Sequence, residues 1–270
     1  MADDSKFADL GRPRRVWAIG AIHGHVDRLA ALHDDIGRRF RVGDRVLYLG
    51  NFLGHGPGIL ATLDELLLFR REIMAVRSVI ASDIVYLRGA QEEMWQKLLQ
   101  LQFAPNPQDV LTWMLGQGIE ATLAAYGGDA RQGLAAARDG AVTLTRWTNM
   151  LRQAIRSHGG HDNLMSGLRR CAYNSDSDGQ SGPLLFVSSG VEPTRPLAAQ
   201  GDTFWWGSGF LRITEPYDSF SRVVRGYDPA HAGIRVTDYT LTLDGGCGFG
   251  GTLAAACLAP DGEIIEIVEA

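Results

Sequence analysis

Cysteine is scarce in this sequence, which holds only Cys171, Cys247 and Cys257 among its 270 residues. Three thiols so far apart provide neither a disulfide framework nor the close pairs of a zinc knuckle. We therefore expect reduced cysteines, as are usual in a cytoplasm, and predict a cytoplasmic location.

Long apolar runs and a large net charge are also lacking. No apolar run reaches the roughly 18 residues that a membrane-spanning helix requires, and residues 1–6 have no basic and apolar segments typical of a secretory signal. The 26 Lys and Arg residues against 31 Asp and Glu residues give a net charge of −5. Unspecific nucleic-acid binding depends on basic surfaces. We therefore expect neither a membrane nor a nucleic acid as a partner.

The sequence does contain several short apolar segments that end in glycine. Apolar runs of this kind, without alternation, are typical of central strands covered on both faces. The glycine at each carboxyl end permits a sharp turn or the close approach of another group. The segments are 15–20, 45–50, 84–89, 184–190 and 222–226.

Helical periodicity separates the first three of these segments. Apolar residues recur every three or four positions in 26–40 and again in 59–67, where Pro57 precedes the helix. Strand and helix therefore alternate from 15 to 89, which predicts a layered α/β fold. In such sheets, binding sites form beyond the carboxyl ends of the strands.

The rest of the chain is divided into a helical and a β-rich part. Residues 92–160 have helical spacing and are interpreted as an insertion, and 174–182 are predicted to be a polar loop. Strands are predicted at 239–243, 252–258 and 263–268, the last two joined by a turn at Asp261-Gly262. Trp205 and Trp206 are expected in an extended segment packed under the helical insertion.

Five motifs after the predicted strands resemble those of a known family. They read Gly20-Ala-Ile-His-Gly24, Gly50-Asn-Phe-Leu-Gly-His-Gly56, Gly89-Ala-Gln-Glu92, Val187-Ser-Ser-Gly190 and Arg225-Gly-Tyr-Asp228. Their order and spacing resemble the bacterial phosphoprotein-phosphatase branch of the calcineurin-like metallophosphoesterases. In that family the motifs are Gly-Asp-x-His-Gly, Gly-Asp-x-x-Asp-Arg-Gly, Gly-Asn-His-Glu, Val-His-Ala-Gly and His-Gly-His-Thr.

The resemblance implies a fold and a domain organisation. The expected fold class is α/β, a calcineurin-like metallophosphoesterase sandwich of two mixed β-sheets flanked by helices, with a helical cap insertion. We predict an N-terminal tail at 1–13 and one domain at 14–270, with the cap at about 92–182. Similarity outside the motifs, at 113–127, 202–211 and 243–253, extends the resemblance to about residues 14–258.

The family hydrolyses phosphate esters with two divalent ions, such as Mn, Fe or Zn, about 3.5–4 Å apart. When the motifs are aligned, most of the positions that bind metal in the family hold a different residue in this sequence. Of the six, only His23 keeps its residue type. The first aspartate position is Ala21, the bridging aspartate is Asn51, the asparagine is Ala90, and the two later histidines are Ser188 and Tyr227.

Further catalytic positions of the family have also changed. Its general-acid histidine corresponds to Gln91, which does not transfer protons near neutral pH, and the aspartate that orients that histidine corresponds to Gly54. Its phosphate-binding arginine corresponds to His55, and another active-site histidine corresponds to Arg225. The resemblance therefore implies the fold without the reaction.

Electrostatics gives the same expectation. Two dications about 3.5 Å apart repel each other by about 19 kcal/mol at an effective dielectric constant of about 20. The family offsets this repulsion with carboxylates, whereas both carboxylate positions are neutral in this sequence. We therefore expect no metal, no cofactor and no catalytic residue.

Residual binding at these positions has several interpretations. His23, His25 and His55 either rebuild a single-metal site or bind only locally, and His158, His161 and Asp162 have a ligand-like spacing within a glycine-rich loop. Arg225, with Arg88 and His55, forms an anion site, or Arg225 instead forms a salt bridge to Glu92 or Asp228. A guanidinium suits either role because it is permanently charged and binds oxyanions with two donors.

Three functions are consistent with the sequence. The first is a pseudophosphatase with a binding or regulatory role, whose partner is a protein or a phosphorylated ligand. The second is an active phosphoesterase with an altered or mononuclear metal site that uses His23, Asn51, His55 and Gln91. The third is a structural subunit that binds a partner through the helical cap.

Overall fold

The computed structural model describes residues 6–175, 182–207 and 209–270. Most of the polar loop predicted at 174–182 lies outside these ranges. Within them the chain forms two β-sheets that pack face to face, with helices on their outer sides. None of the helices in these ranges has the length and apolar character to cross a membrane.

The first sheet is built from three parallel strands and an antiparallel hairpin. Its order is β11-β10-β2-β3-β4, and β2, β3 and β4 run parallel while β10 pairs antiparallel with both β2 and β11. The strands are β2 (Val16–Ile19), β3 (Arg45–Tyr48), β4 (Ile84–Tyr86), β10 (Ala254–Leu258) and β11 (Ile264–Glu269).

The second sheet is also mixed and has the order β1-β5-β6-β7-β9-β8. Parallel pairing joins β6 to β7 and β7 to β9, and β5 pairs antiparallel with β6. The strands are β1 (Phe7–Asp9), β5 (Cys171–Tyr173), β6 (Leu184–Val187), β7 (Arg222–Arg225), β8 (Arg235–Val236) and β9 (Thr240–Thr242).

Helices cover the outer face of the first sheet and form the cap. One helix follows β2 and one follows β3, and both pack on this sheet. Among the described residues, six helices lie between β4 and β5 in the chain, and a ninth lies between β6 and β7. They are α1 (Val26–Arg39), α2 (Ile59–Met74), α3 (Ala90–Leu98), α4 (Pro107–Gly116), α5 (Glu120–Ala125), α6 (Ala130–Asp139), α7 (Ala141–Ser157), α8 (His161–Ser166) and α9 (Thr203–Trp206).

Strand alternation produces two separate cores on the two faces of the first sheet. In β2, Val16 and Ala18 belong to the core between the sheets, whereas Trp17 and Ile19 belong to the core under the helices. Successive strand residues point to opposite faces, and both faces are apolar because both are covered. The continuous apolar runs of the sequence are thereby explained.

The outer face of the second sheet carries a third core. Trp205 is buried there with Phe204 and Phe210, and Trp206 contacts Trp113 of the cap with ring centroids 5.5 Å apart. The two tryptophans therefore pack beside the cap as expected. The extended conformation predicted for this segment is wrong, because Thr203–Trp206 forms one helical turn.

The structure confirms the mixed two-sheet sandwich and each of the glycine-ended strands. Phe7–Asp9, within the predicted tail at 1–13, pairs in parallel with Cys171–Tyr173 and so contributes an edge strand. The same pairing places Cys171–Tyr173, within the predicted cap range of about 92–182, in the second sheet. The helical part of the insertion runs from Ala90 to Ser166.

Phe186 tests the core between the sheets, since its side chain is fully buried there. We expect Phe186→Ala to lower the free energy of unfolding by about 3–5 kcal/mol, because it removes apolar contacts and leaves a cavity. Denaturant titration measures this loss. The matched control is Phe103→Ala, whose parent side chain is 79% exposed and which should change stability by less than about 0.5 kcal/mol. Equal effects of the two substitutions would contradict this packing.

Candidate functional site

The ends of the two sheets meet at glycines. A Cβ atom on Gly20 would lie 2.3 Å from the carbonyl oxygen of Leu243, and one on Gly226 would lie 2.4 Å from Cβ of Leu49. The Ala21 N–H also donates to the Gly226 carbonyl at 3.0 Å. The glycines therefore allow backbone to approach backbone, and the loops after β2, β3, β4, β6 and β7 form one cluster. We call Ala21, His23, Asn51, Ala90, Gln91, Ser188 and Tyr227 the strand-end centre.

His23 is buried at the strand-end centre, with 1% of its surface exposed. Its backbone has a φ of 50°, and Nδ1 donates to the Leu53 carbonyl at 3.1 Å. Its Nε2 consequently carries a lone pair, and no described residue hydrogen-bonds to that atom. Burial lowers the pKa of His23 to about 3, with a further contribution from the nearby His55. The ring is therefore neutral at physiological pH.

Asn51 and Gln91 lie side by side in the same centre. Asn51, which also has a positive φ of 56°, accepts a hydrogen bond at Oδ1 from the Gln91 backbone N–H at 3.0 Å. The Gln91 side chain donates through Nε2 to the Gln117 carbonyl at 2.8 Å. Asn51 Nδ2 and Gln91 Oε1 are buried and have no partner among the described residues. One donor and one acceptor thus remain unused.

Glu92 provides a buried carboxylate next to these residues. One oxygen accepts the N–H groups of Asn51 and Gly89 at 2.8 Å each, and the other accepts the Leu53 N–H at 3.0 Å. Burial raises the pKa of Glu92, and the backbone hydrogen bonds offset that effect only in part. Glu92 and Glu93 lie in the first turn of α3, where acidic side chains interact favourably with the helix dipole. The side chain of Glu92 additionally fixes the loop after β3.

Ser188 and Tyr227 join the last two loops to the centre. The Ser188 carbonyl accepts the Gly226 and Tyr227 N–H groups at 3.1 and 2.9 Å, while its Oγ is buried without a partner in the described chain. The Tyr227 ring lies 5.6 Å from that of His23, centroid to centroid. Ala21 and Ala90 are both buried and contribute only methyl groups.

An aromatic cluster covers the centre. Phe249 stacks on His231 with ring centroids 3.8 Å apart, and it lies 4.5 Å from His55 and 5.4 Å from His23. The loop 245–251 that carries Phe249 is rich in glycine, and a Cβ on Gly248 would lie 2.7 Å from Cβ of His23. Phe249 itself is 43% exposed. The cluster therefore forms a partly open rim above His23.

Asp244 and Gly54 form hydrogen bonds that connect the loops around the strand-end centre. The Asp244 carboxylate accepts the Asp228 N–H at 2.8 Å and hydrogen-bonds His231 Nδ1 at 3.1 Å. A Cβ on Gly54 would lie 2.8 Å from His23 Nδ1. The backbone N–H of Gly54 donates to the Thr122 hydroxyl at 3.1 Å. The sequence analysis did not identify Asp244, His231, Phe249 or Thr122. Only the glycine-rich stretch after Asp244 could have indicated that loop.

Arg225 forms the salt bridge to Asp228 that the sequence analysis considered. Its guanidinium lies 2.9 Å from the Asp228 carboxylate, donates through Nε to Thr242 at 2.9 Å, and lies 4.2 Å from the Phe210 ring centroid. Burial lowers the pKa of Arg225. A carboxylate, a hydroxyl and an aromatic ring thus contact the guanidinium, and the side chain lies on the Phe210 side of the second sheet.

The other two residues of the anion hypothesis are arranged differently. Arg88 pairs with Glu93 at 3.0 Å, and His55 is on the rim, where burial and His231 lower its pKa. The two guanidinium groups of Arg88 and Arg225 are therefore each neutralised by a different carboxylate. Anion binding by Arg88, His55 and Arg225 stays a prediction that these contacts do not favour.

The donor set of the strand-end centre does not fit a pair of divalent ions. Hard and borderline cations need carboxylate oxygens, amide oxygens or imidazoles. His23 Nε2 and Gln91 Oε1 have no partner among the described residues, but both oxygens of the neighbouring Glu92 accept backbone N–H groups, and Asn51 Oδ1 is bonded to a backbone N–H. Across the described ranges, no three His, Cys, Asp or Glu side chains are grouped to hold a metal. His161 is instead hydrogen-bonded to Tyr126 and Asp64.

Solved structures share this architecture. A protein assigned as a diadenosine tetraphosphatase has 18% identity and a TM-score of 0.55, covering 98% of this chain and 97% of its own. A protein serine/threonine phosphatase from Saccharomyces cerevisiae has 14% identity and a TM-score of 0.51, covering 98% and 84%. A cold-active protein-tyrosine phosphatase from a psychrophilic Shewanella species has 10% identity and a TM-score of 0.54, covering 98% and 85%.

These likenesses define the fold. No family model and no curated protein matches the sequence. The two mixed sheets flanked by helices match the α/β fold of these solved structures, as the resemblance in the sequence predicts. At identities this low the comparison establishes the architecture, and the chemistry depends on the residues present in this chain.

Burial of His23 predicts a pH dependence of stability. The unfolded imidazole titrates near its ordinary pKa of 6.5 and the folded one near about 3, so the unfolded chain binds more protons between these values. Stability therefore falls as pH decreases through that window. We expect His23→Asn to reduce the loss of unfolding free energy between pH 7 and 5 by about 2 kcal/mol. Denaturant titrations at both pH values measure it.

Tyr227→Phe is the control for this prediction. It keeps the ring beside His23 and introduces no group that titrates between pH 5 and 7, so its pH dependence should equal that of the unmodified protein. If His23→Asn instead retains the full loss on acidification, His23 is not held neutral by burial in the folded protein.

Proposed function

We propose that this protein is a catalytically inactive relative of the phosphoesterases with a binding or regulatory role. Its partner is a small phosphorylated ligand or a protein that carries a phosphoryl group. The supporting observation is the composition of the strand-end centre, where the positions that the resemblance assigns to metal ligands carry neutral side chains. The two-metal reaction requires carboxylates that these residues do not supply.

The strain and unused polar atoms of the centre favour binding over a purely structural role. His23 and Asn51 have left-handed backbone conformations, which cost free energy in non-glycine residues. His23 Nε2, Asn51 Nδ2, Gln91 Oε1 and Ser188 Oγ are buried without partners in the described chain, and each such atom is also costly. A ligand with both donors and acceptors would satisfy them, and a hydrogenphosphate group has both.

Metal analysis and turnover test the loss of catalysis. Protein purified without chelator should contain much less than one equivalent of Mn, Fe or Zn and should not hydrolyse an aryl phosphate when these ions are added. Its thermal midpoint should not change with added metal, whereas an ion at about 100 times its Kd would contribute about 2.7 kcal/mol. Two equivalents of bound metal together with turnover would overturn the proposal.

A single bound ion would support the mononuclear alternative instead. His23 is the one retained ligand with a free nitrogen, and the His55 ring lies 5.2 Å from it. That alternative requires metal binding and turnover that are both lost in His23→Asn and His55→Ala. Metal-independent behaviour of all three proteins would reject it.

Binding at the centre is tested by titration with phosphoserine and with AMP, monitored by the ¹⁵N resonance of His23 Nε2. We expect at least one of the two to shift this resonance and to remain unhydrolysed, because the Nε2 lone pair is then hydrogen-bonded. Benzyl alcohol, which has no phosphate, is the negative control. If neither phosphate compound shifts the resonance, the structural-subunit alternative is favoured.

Asn51→Asp tests the charge requirement directly. Its carboxylate would be buried next to Glu92, whose oxygen accepts the backbone N–H of residue 51, and no cation would offset the repulsion. We expect a loss of about 3 kcal/mol or more in unfolding free energy at pH 7 that added Mn²⁺ does not restore. Asn51→Gly, which accepts the positive φ without adding charge, is the matched control. Full recovery of Asn51→Asp with Mn²⁺ would contradict the proposed loss of metal binding.

A further inference from the structure

A cavity of about 210 Å³ lies within the helical cap between α3, α7 and α8. We call it the cap cavity. Its apolar walls include Leu99, Ile155 and Met165, and Trp95 forms part of its lining. On α3 the lining residues are spaced three or four positions apart, so that one face of the helix borders the cavity. The strand-end centre has a different set of lining residues.

Trp95 lines the cap cavity and is a fixed reporter of what binds there. The residue is 1% exposed, and its indole Nε1 is buried without a hydrogen-bond partner in the described ranges. The ring is held in place by stacking on Tyr126, with centroids 5.3 Å apart and an interplanar angle of 19°. An indole N–H is a donor only, and a buried donor without an acceptor is costly.

Guanidinium groups border the same cavity. Arg88, Arg152 and Arg156 line it together with two acidic residues, Glu92 and Asp162. Glu93, which lies outside the lining, pairs with Arg88, so Arg152 and Arg156 are the arginines to consider as ligand-binding groups. Both carboxylate oxygens of Glu92 are bonded to backbone N–H groups elsewhere, which leaves Asp162 as the carboxylate able to neutralise these arginines from within the lining.

Two of the arginines remain available to a ligand. Arg156 lies 3.7 Å from Asp162, and the Asp162 side chain is 61% exposed, so this pair is weak. Arg152 donates to the carbonyl of Leu99 and to the Asn149 side chain, neither of which is charged. These neutral contacts orient the guanidinium across the cavity between α7 and the end of α3. Arg88, in contrast, is paired with Glu93.

We propose that the cap cavity binds a small organic anion that combines one aromatic or similarly compact apolar group with one oxyanion group, a carboxylate or a phosphonate. The apolar group contacts Leu99, Ile155 and Met165, and the oxyanion binds Arg152 and Arg156 beside the Trp95 ring. A cavity of about 150 Å³ is sufficient for benzene, so the cap cavity accommodates one substituted ring. This site is independent of the function proposed for the strand-end centre.

The experiment titrates the full-length protein with benzoate and with phenylphosphonate, which distinguishes the two oxyanions. The indole N–H resonances report binding at Trp95, and the Trp95→Phe variant identifies its signal among the six tryptophans. We expect the Trp95 signal to shift with at least one anion. Benzyl alcohol, which has the ring without the charge, should bind at least about tenfold more weakly.

Variants of the arginines test the charge. Arg152→Gln/Arg156→Gln should weaken binding of the anion by about tenfold or more while the Trp95 resonance keeps its position in the free protein. The matched control is Arg146→Gln, an exposed position on the same helix that does not line the cavity, and its affinity should be unchanged. His23→Asn should also leave this binding unchanged, which separates the cap cavity from the strand-end centre.

Two outcomes would overturn the proposal. One is an unshifted Trp95 resonance at millimolar concentrations of both anions. The other is a shift whose affinity is the same in Arg152→Gln/Arg156→Gln as in the unmodified protein. If Trp95→Phe fails to fold, the Trp95 signal is assigned in the unmodified protein through its contact with the Tyr126 ring, so both readouts remain valid.

Discussion

The buried carboxylate of Glu92 is the interaction on which the strand-end centre depends. It accepts the N–H groups of Asn51, Leu53 and Gly89, and so holds the loop after β3 against the start of α3. Charge-assisted hydrogen bonds to a buried carboxylate are strong, and the loop geometry therefore needs no bound ion. The centre keeps its shape through interactions within the protein, while the atoms that face its interior are neutral.

The strands and the layer order could be predicted from the sequence because each buried strand is continuous, apolar and ended by glycine. Phe7–Asp9 could not, since it is a three-residue edge strand whose partner, Cys171–Tyr173, is far away in the sequence. Thr203–Trp206 was also missed, because a single helical turn is too short to show a helical period. Pairing between distant segments and very short elements leave little local signal.

The motifs predicted which residues of the candidate site meet, and the structure places His23, Asn51, Gln91 and Tyr227 together. The motifs did not predict which carboxylate neutralises the Arg225 guanidinium. Arg225 had two candidate carboxylates, and only the packing of Phe210 and Thr242 around it explains why Asp228 is its partner. Phe249 was likewise missed, because its contact with His23 joins distant parts of the chain.

The left-handed backbone at His23 and Asn51 also restricts which side chains these loops accept. Glycine adopts that conformation without strain, asparagine, aspartate and histidine adopt it at some cost, and β-branched residues adopt it least readily. Natural variants at positions 23 and 51 should therefore come from this short set, whatever the ligand is. An acidic residue at position 51 is compatible with the backbone, so the charge of this loop can change by a single side-chain replacement without a change of backbone conformation.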